Sequence, residues 1–259
     1  MAASHPVAMV IKSTFEYTDS IGDLFEGVIA RPNSGTKLPG VLVLHAFSGC
    51  TEFEVERAVE LARLGYVALA ADVYGKGKRG TTKEENFALL RPLVEGDRAV
   101  LGRRLQAARD ALGNLEYVDH TKLACIGYCF GGLCAIDMAR RNVAGIKAAV
   151  SFHGTLKPIA DAPLTGMEAS LQIHNGQADT HIGADQVRLV DIGADQIKGF
   201  YDEMNARQAD WTFIEHGFAL HGFTEPHANK FGVPGVGYQK KAAERSWTMM
   251  EAFLKEKLH

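Results

Sequence analysis

Residues Leu123–Ala139 read LACIGYCFGGLCAIDMA, and this stretch decides the fold. Its first residues are apolar, as in a buried strand, and the residues from Phe130 onward favour a helix. Between them stands Gly127-Tyr128-Cys129-Phe130-Gly131, a nucleophile between two glycines. A strand, a sharp turn that carries a nucleophile, and a helix together form the nucleophile elbow, which exposes its central side chain at the top of a sheet.

The elbow explains the residues on either side of Cys129. Side chains two positions away would collide with each other and with a substrate, so glycine is expected at both positions. The N-terminus of the following helix favours an anionic sulfur or an oxyanion. A thiol also needs less activation than a hydroxyl. We therefore predict that Cys129 is the nucleophile, and that the cysteines without this setting are structural: Cys50, Cys125 and Cys134.

Strands and helices alternate on both sides of the elbow. Apolar runs predict buried strands at Val41–His45, Tyr66–Ala71, Lys122–Ile126, Ile146–Phe152, Ser170–His174 and Trp211–Glu215. Helical spacing covers Glu52–Leu64, Asp97–Leu112, the stretch from the elbow to Asn142, Gly199–Arg207 and Lys240–Lys257. Two alternating runs, Ile11–Tyr17 and Leu24–Ala30, predict an antiparallel pair at the start. This order predicts an α/β-hydrolase fold, with a mostly parallel sheet covered on both faces, in one domain over residues 1–259.

Two further segments have features of their own. Gly75–Gly96 is polar, glycine-rich at its start and weakly helical later, and we expect it to cover a site. The five residues Ile182–Gln186 recur as Ile192–Gln196. Two copies are too few for a solenoid, so we interpret them as a local duplication that leads into a helix.

An acid and a histidine should follow the nucleophile, each on a loop after a later strand. Asp179 lies in the loop after the strand at Ser170–His174, with Asp185 and Asp195 as alternatives. His221 follows the strand at Trp211–Glu215, and its rivals are His216, which is very close to the strand end, and His227, which is further out. The oxyanion donors should be the N–H of Phe130 and one N–H from the loop Ala46–Gly49.

Composition excludes several other classes of protein. The formal net charge is −3, and no block of Lys or Arg is dense enough to predict binding to nucleic acid. No run approaches the roughly 18 apolar residues of a membrane span. Four irregularly spaced cysteines and an N-terminus without a secretory pattern favour a cytoplasmic protein with reduced thiols. Neither a metal nor an organic cofactor is expected, and the expected partner is a small-molecule substrate.

The segments around Cys129, Asp179 and His221 resemble the dienelactone hydrolase family of α/β-hydrolases. The resemblance is carried by Gly127–Gly132, by the loop aspartate and by His221-Gly222-Phe223, with looser echoes in Ala71–Gly75 and in the C-terminal helix. It implies a Cys129, His221 and Asp179 triad, and it implies that the second oxyanion donor is the N–H of Phe47.

Two positions depart from the family's pattern. Members that act on dienelactone have a Glu at the position of Ala46, where it helps to activate the thiol. They also have an Arg shortly after the His-x-Phe, where this chain has Thr224 and Glu225. A substrate carboxylate near Glu225 would be repelled, so we expect a substrate other than dienelactone and direct activation of Cys129 by His221.

The leading hypothesis is hydrolysis of small esters or lactones through an acyl-enzyme. The same residues would also suit cleavage of activated phosphotriesters or thioesters. Two other classes stay open from the sequence alone: a non-catalytic ligand-binding protein with the same fold, and a redox-active thiol protein.

Overall fold

Strands and helices alternate along the computed structural model, which describes residues 9–160, 163–179 and 194–259. Its strands are β1 Val10–Thr18, β2 Leu24–Pro32, β3 Leu38–Leu44, β4 Val67–Ala71, β5 Val118–Tyr128, β6 Ile146–Phe152, β7 Ser170–Gly176 and β8 Trp211–His216. Its α-helices are α1 Glu52–Arg63, α2 Lys83–Val94, α3 Ala99–Gly113, α4 Phe130–Arg140, α5 Ala194–Ala206 and α6 Lys240–Leu258. A short 3₁₀ helix covers Ala228–Phe231.

All eight of these strands form one sheet in the order β1-β2-β4-β3-β5-β6-β7-β8. β1 pairs antiparallel with β2, and β2 pairs antiparallel with β4. From β4 to β8 every neighbouring pair is parallel. The α/β-hydrolase fold expected from the sequence is confirmed, and so is the antiparallel pair at its start.

The sheet has a separate apolar core on each face. In β3, Leu42 and Leu44 join the core beneath α2, α3 and α4, whereas Val41 and Val43 join the core beneath α1 and α6. All four side chains are fully buried. A strand covered on both sides needs apolar residues at consecutive positions, which explains the unbroken run in the sequence.

Several element boundaries differ from the predicted ones. β5 starts at Val118, because the chain pairs with β3 through Leu38↔Val118 although its residues 120–122 are exposed and polar. α2 lies inside the predicted covering stretch, and Thr82 begins it with a capping box to Glu85. α5 begins at Ala194, within the second copy of the duplication. The first copy lies outside the described residues.

Parallel strands bring their carboxyl ends to one edge of the sheet, and the loops that follow β3, β5, β7 and β8 meet there. Within the described ranges, no helix is both long enough and apolar enough to cross a membrane.

Candidate active site

Cys129 stands on the turn between β5 and α4, with φ 53° and ψ −112°. Few residues other than glycine adopt a positive φ, so the turn is strained, as an elbow requires. A Cβ at Gly127 would lie 1.9 Å from the carbonyl oxygen of Gly131, and a Cβ at Gly131 would lie 2.0 Å from that of Leu44. Both glycines are therefore required by contacts between backbone segments. The sequence predicted clashes between the two side chains and with a substrate, whereas the clash at Gly131 is with the backbone of β3.

Asp179 and His221 meet beside this elbow. Nδ1 of His221 donates a hydrogen bond to Oδ2 of Asp179 over 2.9 Å, and both side chains are buried. Their loops are tied together, because the N–H of Ala178 donates to the carbonyl of Ala219 over 3.0 Å. Because the carboxylate only accepts hydrogen bonds, the proton of a neutral His221 is on Nδ1 and its Nε2 is the basic atom.

The electrostatics of His221 favour its protonated form. Burial lowers the pKa of His221, but the Cys129 thiolate and the Asp179 carboxylate outweigh it and raise the pKa well above its ordinary value. His221 borders the same cavity as Cys129. Nε2 is therefore suited to accept the proton of the Cys129 thiol.

The rival residues lie in other surroundings. Nε2 of His216 is 3.1 Å from Nδ1 of His174, so it pairs with a second imidazole instead of a carboxylate. His227 is exposed at the start of the 3₁₀ helix. Asp185 and the side chain of Asp195 lie outside the described residues, so these alternatives to Asp179 stay untested.

The elbow opens into a cavity of about 480 Å³. Volumes of this order are typical of sites that enclose a small organic ligand. Its apolar wall comes from the loop after β3, from α2, from the start of α4 and from the segment after His221, and includes Phe47, Phe87, Leu90, Val94, Phe130, Leu133, Phe231, Val233 and Val236. The stretch Gly75–Gly96 was expected to cover a site, and α2 does border this cavity.

The sequence profile of the dienelactone hydrolase family matches residues 25–258, which is most of the chain. The chain belongs to the dienelactone hydrolase family. It is accordingly a hydrolase that acts on lactone or ester substrates. The resemblance found in the sequence is confirmed.

Several relatives within and around the family show how far the similarity extends. A promiscuous phosphotriesterase from metagenomic libraries, which is dienelactone hydrolase-like, is 33% identical with a TM-score of 0.87, covering 96% of this chain and 99% of its own. An uncharacterized protein of Caenorhabditis elegans is 44% identical over 154 residues, which are 59% of this chain and 91% of that protein. A carboxymethylenebutenolidase homologue of Yersinia pestis is 26% identical, covering 89% of this chain and 83% of its own.

Glu225, one of the two positions that depart from the family's pattern in the sequence, borders the cavity. Burial, reinforced by the carboxylate of Glu54, raises the pKa of Glu225 to about 7. The cavity wall also includes exposed cationic side chains, Lys83, Arg91 and Lys157.

Glu54 is a buried carboxylate that was not predicted as a site residue. Its Oε1 accepts a hydrogen bond from the N–H of Ala46 over 3.2 Å. Its Oε2 accepts from the N–H of Thr51 over 2.8 Å and from the Thr51 hydroxyl over 2.6 Å. The spacing Thr51-x-x-Glu54 is a capping-box signature that was available in the sequence.

His153 is a second residue that was missed, and it packs against His221. Their ring centroids are 5.0 Å apart at an interplanar angle of 65°. Nε2 of His153 lies 2.7 Å from the hydroxyl of Thr224. Burial and the neighbouring His221 lower the pKa of His153 well below its ordinary value, so His153 stays neutral beside an imidazolium.

The four cysteines should react at very different rates with iodoacetamide. Cys50, Cys125 and Cys134 are buried, and burial raises the pKa of each of these thiols. Cys129 is partly exposed and lies close to His221. We expect Cys129 to be alkylated at least about tenfold faster than the other three in the folded protein, as measured by peptide mass spectrometry over time. Equal rates for all four cysteines would contradict this account of the thiol.

Proposed function

We propose that this chain hydrolyses uncharged esters and lactones through an acyl-enzyme on Cys129, with His221 as general base and Asp179 as the residue that orients it. The observation that carries the proposal is the shared cavity. Cys129 and His221 both border it, and His221 is hydrogen bonded on its far side to Asp179. This is the arrangement of a nucleophile, a base and an orienting acid.

In the acylation step, the proton of the Cys129 thiol moves to Nε2 of His221, and the sulfur attacks the substrate's carbonyl carbon. The electron pair of the carbonyl bond moves to its oxygen, which the N–H groups of Phe47 and Phe130 hold. Phe130 is the first residue of α4, so its N–H has no acceptor within the helix. When the carbonyl reforms, the leaving alkoxide or phenoxide takes the proton from His221, and a thioester remains.

In the deacylation step, His221 removes a proton from water, and the resulting hydroxide attacks the thioester carbon. The same two N–H groups hold the oxyanion. The Cys129 thiolate leaves and recovers the proton from His221, and the carboxylic acid is released. Asp179 keeps the proton on Nδ1 and stabilises the imidazolium in both steps.

The apolar cavity wall supports substrates with a hydrophobic acyl or aryl group. A phosphotriester is the second candidate substrate, because a relative of 33% identity over 96% of the chain is a promiscuous phosphotriesterase. An uncharged phosphotriester also has a P=O oxygen that two N–H donors can hold.

The test is pre-steady-state hydrolysis of a chromogenic aryl ester, with an aryl phosphotriester in parallel. The proposal predicts a burst of about one phenol per chain followed by slower turnover, because acylation releases the phenol before the thioester is hydrolysed. Turnover without any burst would favour direct attack of water on the substrate over an acyl-enzyme. A chain that turns over neither compound would contradict the proposal.

The selectivity of the site should depend on pH through Glu225. Above pH 7 this side chain is mostly ionised, and below it mostly neutral, because its pKa is about 7. We expect the preference for a neutral aryl ester over its carboxylate-bearing analogue to increase from pH 6 to pH 8 by a factor on the order of three to ten. The measurement is the ratio of the two kcat/KM values.

The matched control for this prediction is Glu225→Gln, which keeps the shape of the side chain and cannot ionise. In this variant the ratio should be nearly constant over the same pH range, and Glu225→Arg should favour the carboxylated analogue. A wild type whose ratio is flat, or which prefers the anionic substrate, would show that Glu225 does not face the substrate.

A further inference from the structure

Three side chains hold the backbone around Phe47, the loop residue that follows Ala46. The first is His45, which is fully buried. Its Nε2 accepts a hydrogen bond from the N–H of Val73 over 3.2 Å, so the ring proton must be on Nδ1. Nδ1 donates in turn to the carbonyl of Ala46 over 2.7 Å. Burial lowers the pKa of His45 and keeps it in this neutral form.

Tyr74 and Glu54 hold the two neighbouring backbone groups. The hydroxyl of Tyr74 donates to the carbonyl of Phe47 over 2.9 Å, and Oε1 of Glu54 accepts from the N–H of Ala46 over 3.2 Å. Tyr74 is itself fixed, since its N–H donates to Oδ1 of Asp72 over 2.8 Å. The polar groups on both sides of the Phe47 N–H are therefore bonded to buried side chains from three different parts of the chain.

These hydrogen bonds fix the direction of the Phe47 N–H, because the peptide group is planar. The Ala46 carbonyl and the Phe47 N–H belong to one planar trans peptide, in which they point to opposite sides. His45 pulls the carbonyl to one side, so the N–H is turned to the other. Ala46, Phe47 and Ser48 all border the cavity of Cys129. A donor fixed before the reaction costs no reorganisation when charge develops on the substrate oxygen.

We propose that His45, Tyr74 and Glu54 are positioning residues that preset the Phe47 N–H as an oxyanion donor. This inference rests on the proposed function, because an oxyanion forms only if Cys129 attacks a carbonyl or P=O group. It goes further in assigning a role in the reaction to three residues that do not touch the reacting atoms.

The test variant is Tyr74→Phe, which removes one hydroxyl and keeps the ring in contact with His45 and Phe130. Loss of an oxyanion donor costs about a hundredfold or more in kcat, and loosening one of its supports should cost less, on the order of tenfold. KM for a neutral aryl ester should stay within about twofold, because the ground-state carbonyl needs the donor less. Alkylation of Cys129 by iodoacetamide should also stay near the wild-type rate, because that reaction forms no oxyanion.

The matched control is Tyr66→Phe, which removes a hydroxyl from another buried tyrosine. Tyr66 lies just before β4, at the amino ends of the parallel strands and so at the end away from the elbow. It should leave kcat, KM and alkylation unchanged. If Tyr74→Phe leaves kcat unchanged, or lowers kcat and alkylation together, the positioning role is wrong. Failure of the proposed function has a different signature from failure of the positioning role: the wild type itself then forms no acyl-enzyme on Cys129.

A double variant tests whether the supports act on one peptide. Tyr74→Phe and Glu54→Ala should each lower kcat, and together they should lower it by less than the product of the single effects, because one lost support already loosens the donor that the other support holds. Losses that multiply would show two independent effects and would contradict the inference. Thermal unfolding of each variant establishes that the folded protein is the one assayed.

Discussion

Cys129→Ala is expected to lower kcat/KM for an aryl ester by at least about four orders of magnitude. The alanine variant has no atom at this position that can form a covalent bond to the substrate, so acylation is lost. The fold should survive, because Cys129 lies on the elbow facing the cavity and its side chain is partly exposed. We expect the free energy of unfolding to change by less than about 1 kcal/mol, as measured by urea denaturation.

Cys125→Ala is the control for this prediction. Cys125 lies on β5, four residues before Cys129, and is fully buried on the sheet. Its replacement removes only a sulfur from the core, so stability should fall by about 1 kcal/mol while kcat/KM stays close to wild type. A Cys129→Ala protein that retains activity above a few per cent would exclude the proposed nucleophile.

The second large effect concerns the pair beside the thiol. His221→Ala should lower kcat by about three to four orders of magnitude, because it removes the base in both steps. Asp179→Asn should cost less, about two orders, since Asp179 orients the imidazole and stabilises its charge without taking the proton. Both variants should also slow alkylation of Cys129 at pH 6 to 7, where the thiolate depends on a neighbouring imidazolium.

His216→Ala serves as the comparison for the histidine. His216 bonds His174 and packs against Phe223, so its loss should reduce stability more than kcat. If His216→Ala abolishes activity while His221→Ala keeps it, the assignment of the base is wrong. Asp185→Asn tests the acid in the same way.

Much of the site was predictable because its signals are local. The elbow combines an apolar strand, two glycines and a helix within one short stretch, and each glycine is required by contacts with backbone only 1.9 to 2.0 Å away from its missing Cβ. Asp179 and His221 were predictable from a rule about chain order, since both follow strands that end at the edge of the sheet where the elbow lies.

The supporting residues were not predictable, because their partners are distant in the chain. Tyr74 bonds the carbonyl of a residue 27 positions earlier, and Thr224 meets His153 across 71 positions. The sequence around Glu54 indicates a helix cap. Only the fold brings its Oε1 to the N–H of Ala46. Local patterns therefore predicted the candidate reacting groups, whereas the orientation of these groups depends on tertiary contacts.

Buried charged side chains were likewise not predictable from the sequence. Arg98 and Asp137, which are 39 residues apart, form two hydrogen bonds of 2.6 and 3.0 Å between α4 and the residue before α3. Both are fully buried, and Arg140 of α4 extends the network to Glu203 of α5. In the sequence these residues look like ordinary surface charges, because charged side chains are seldom buried unless paired.

The most direct test of the proposed function is the site of the covalent intermediate. The enzyme is mixed with an aryl ester in excess, quenched in acid within the burst phase, digested and mapped by mass spectrometry. We expect an added acyl group on the peptide that contains Cys129 in the wild type. The same group should persist longer in Asp179→Asn and should be missing from Cys129→Ala. An acyl group on another residue, or a burst with no acylated peptide at Cys129, would contradict the proposed function.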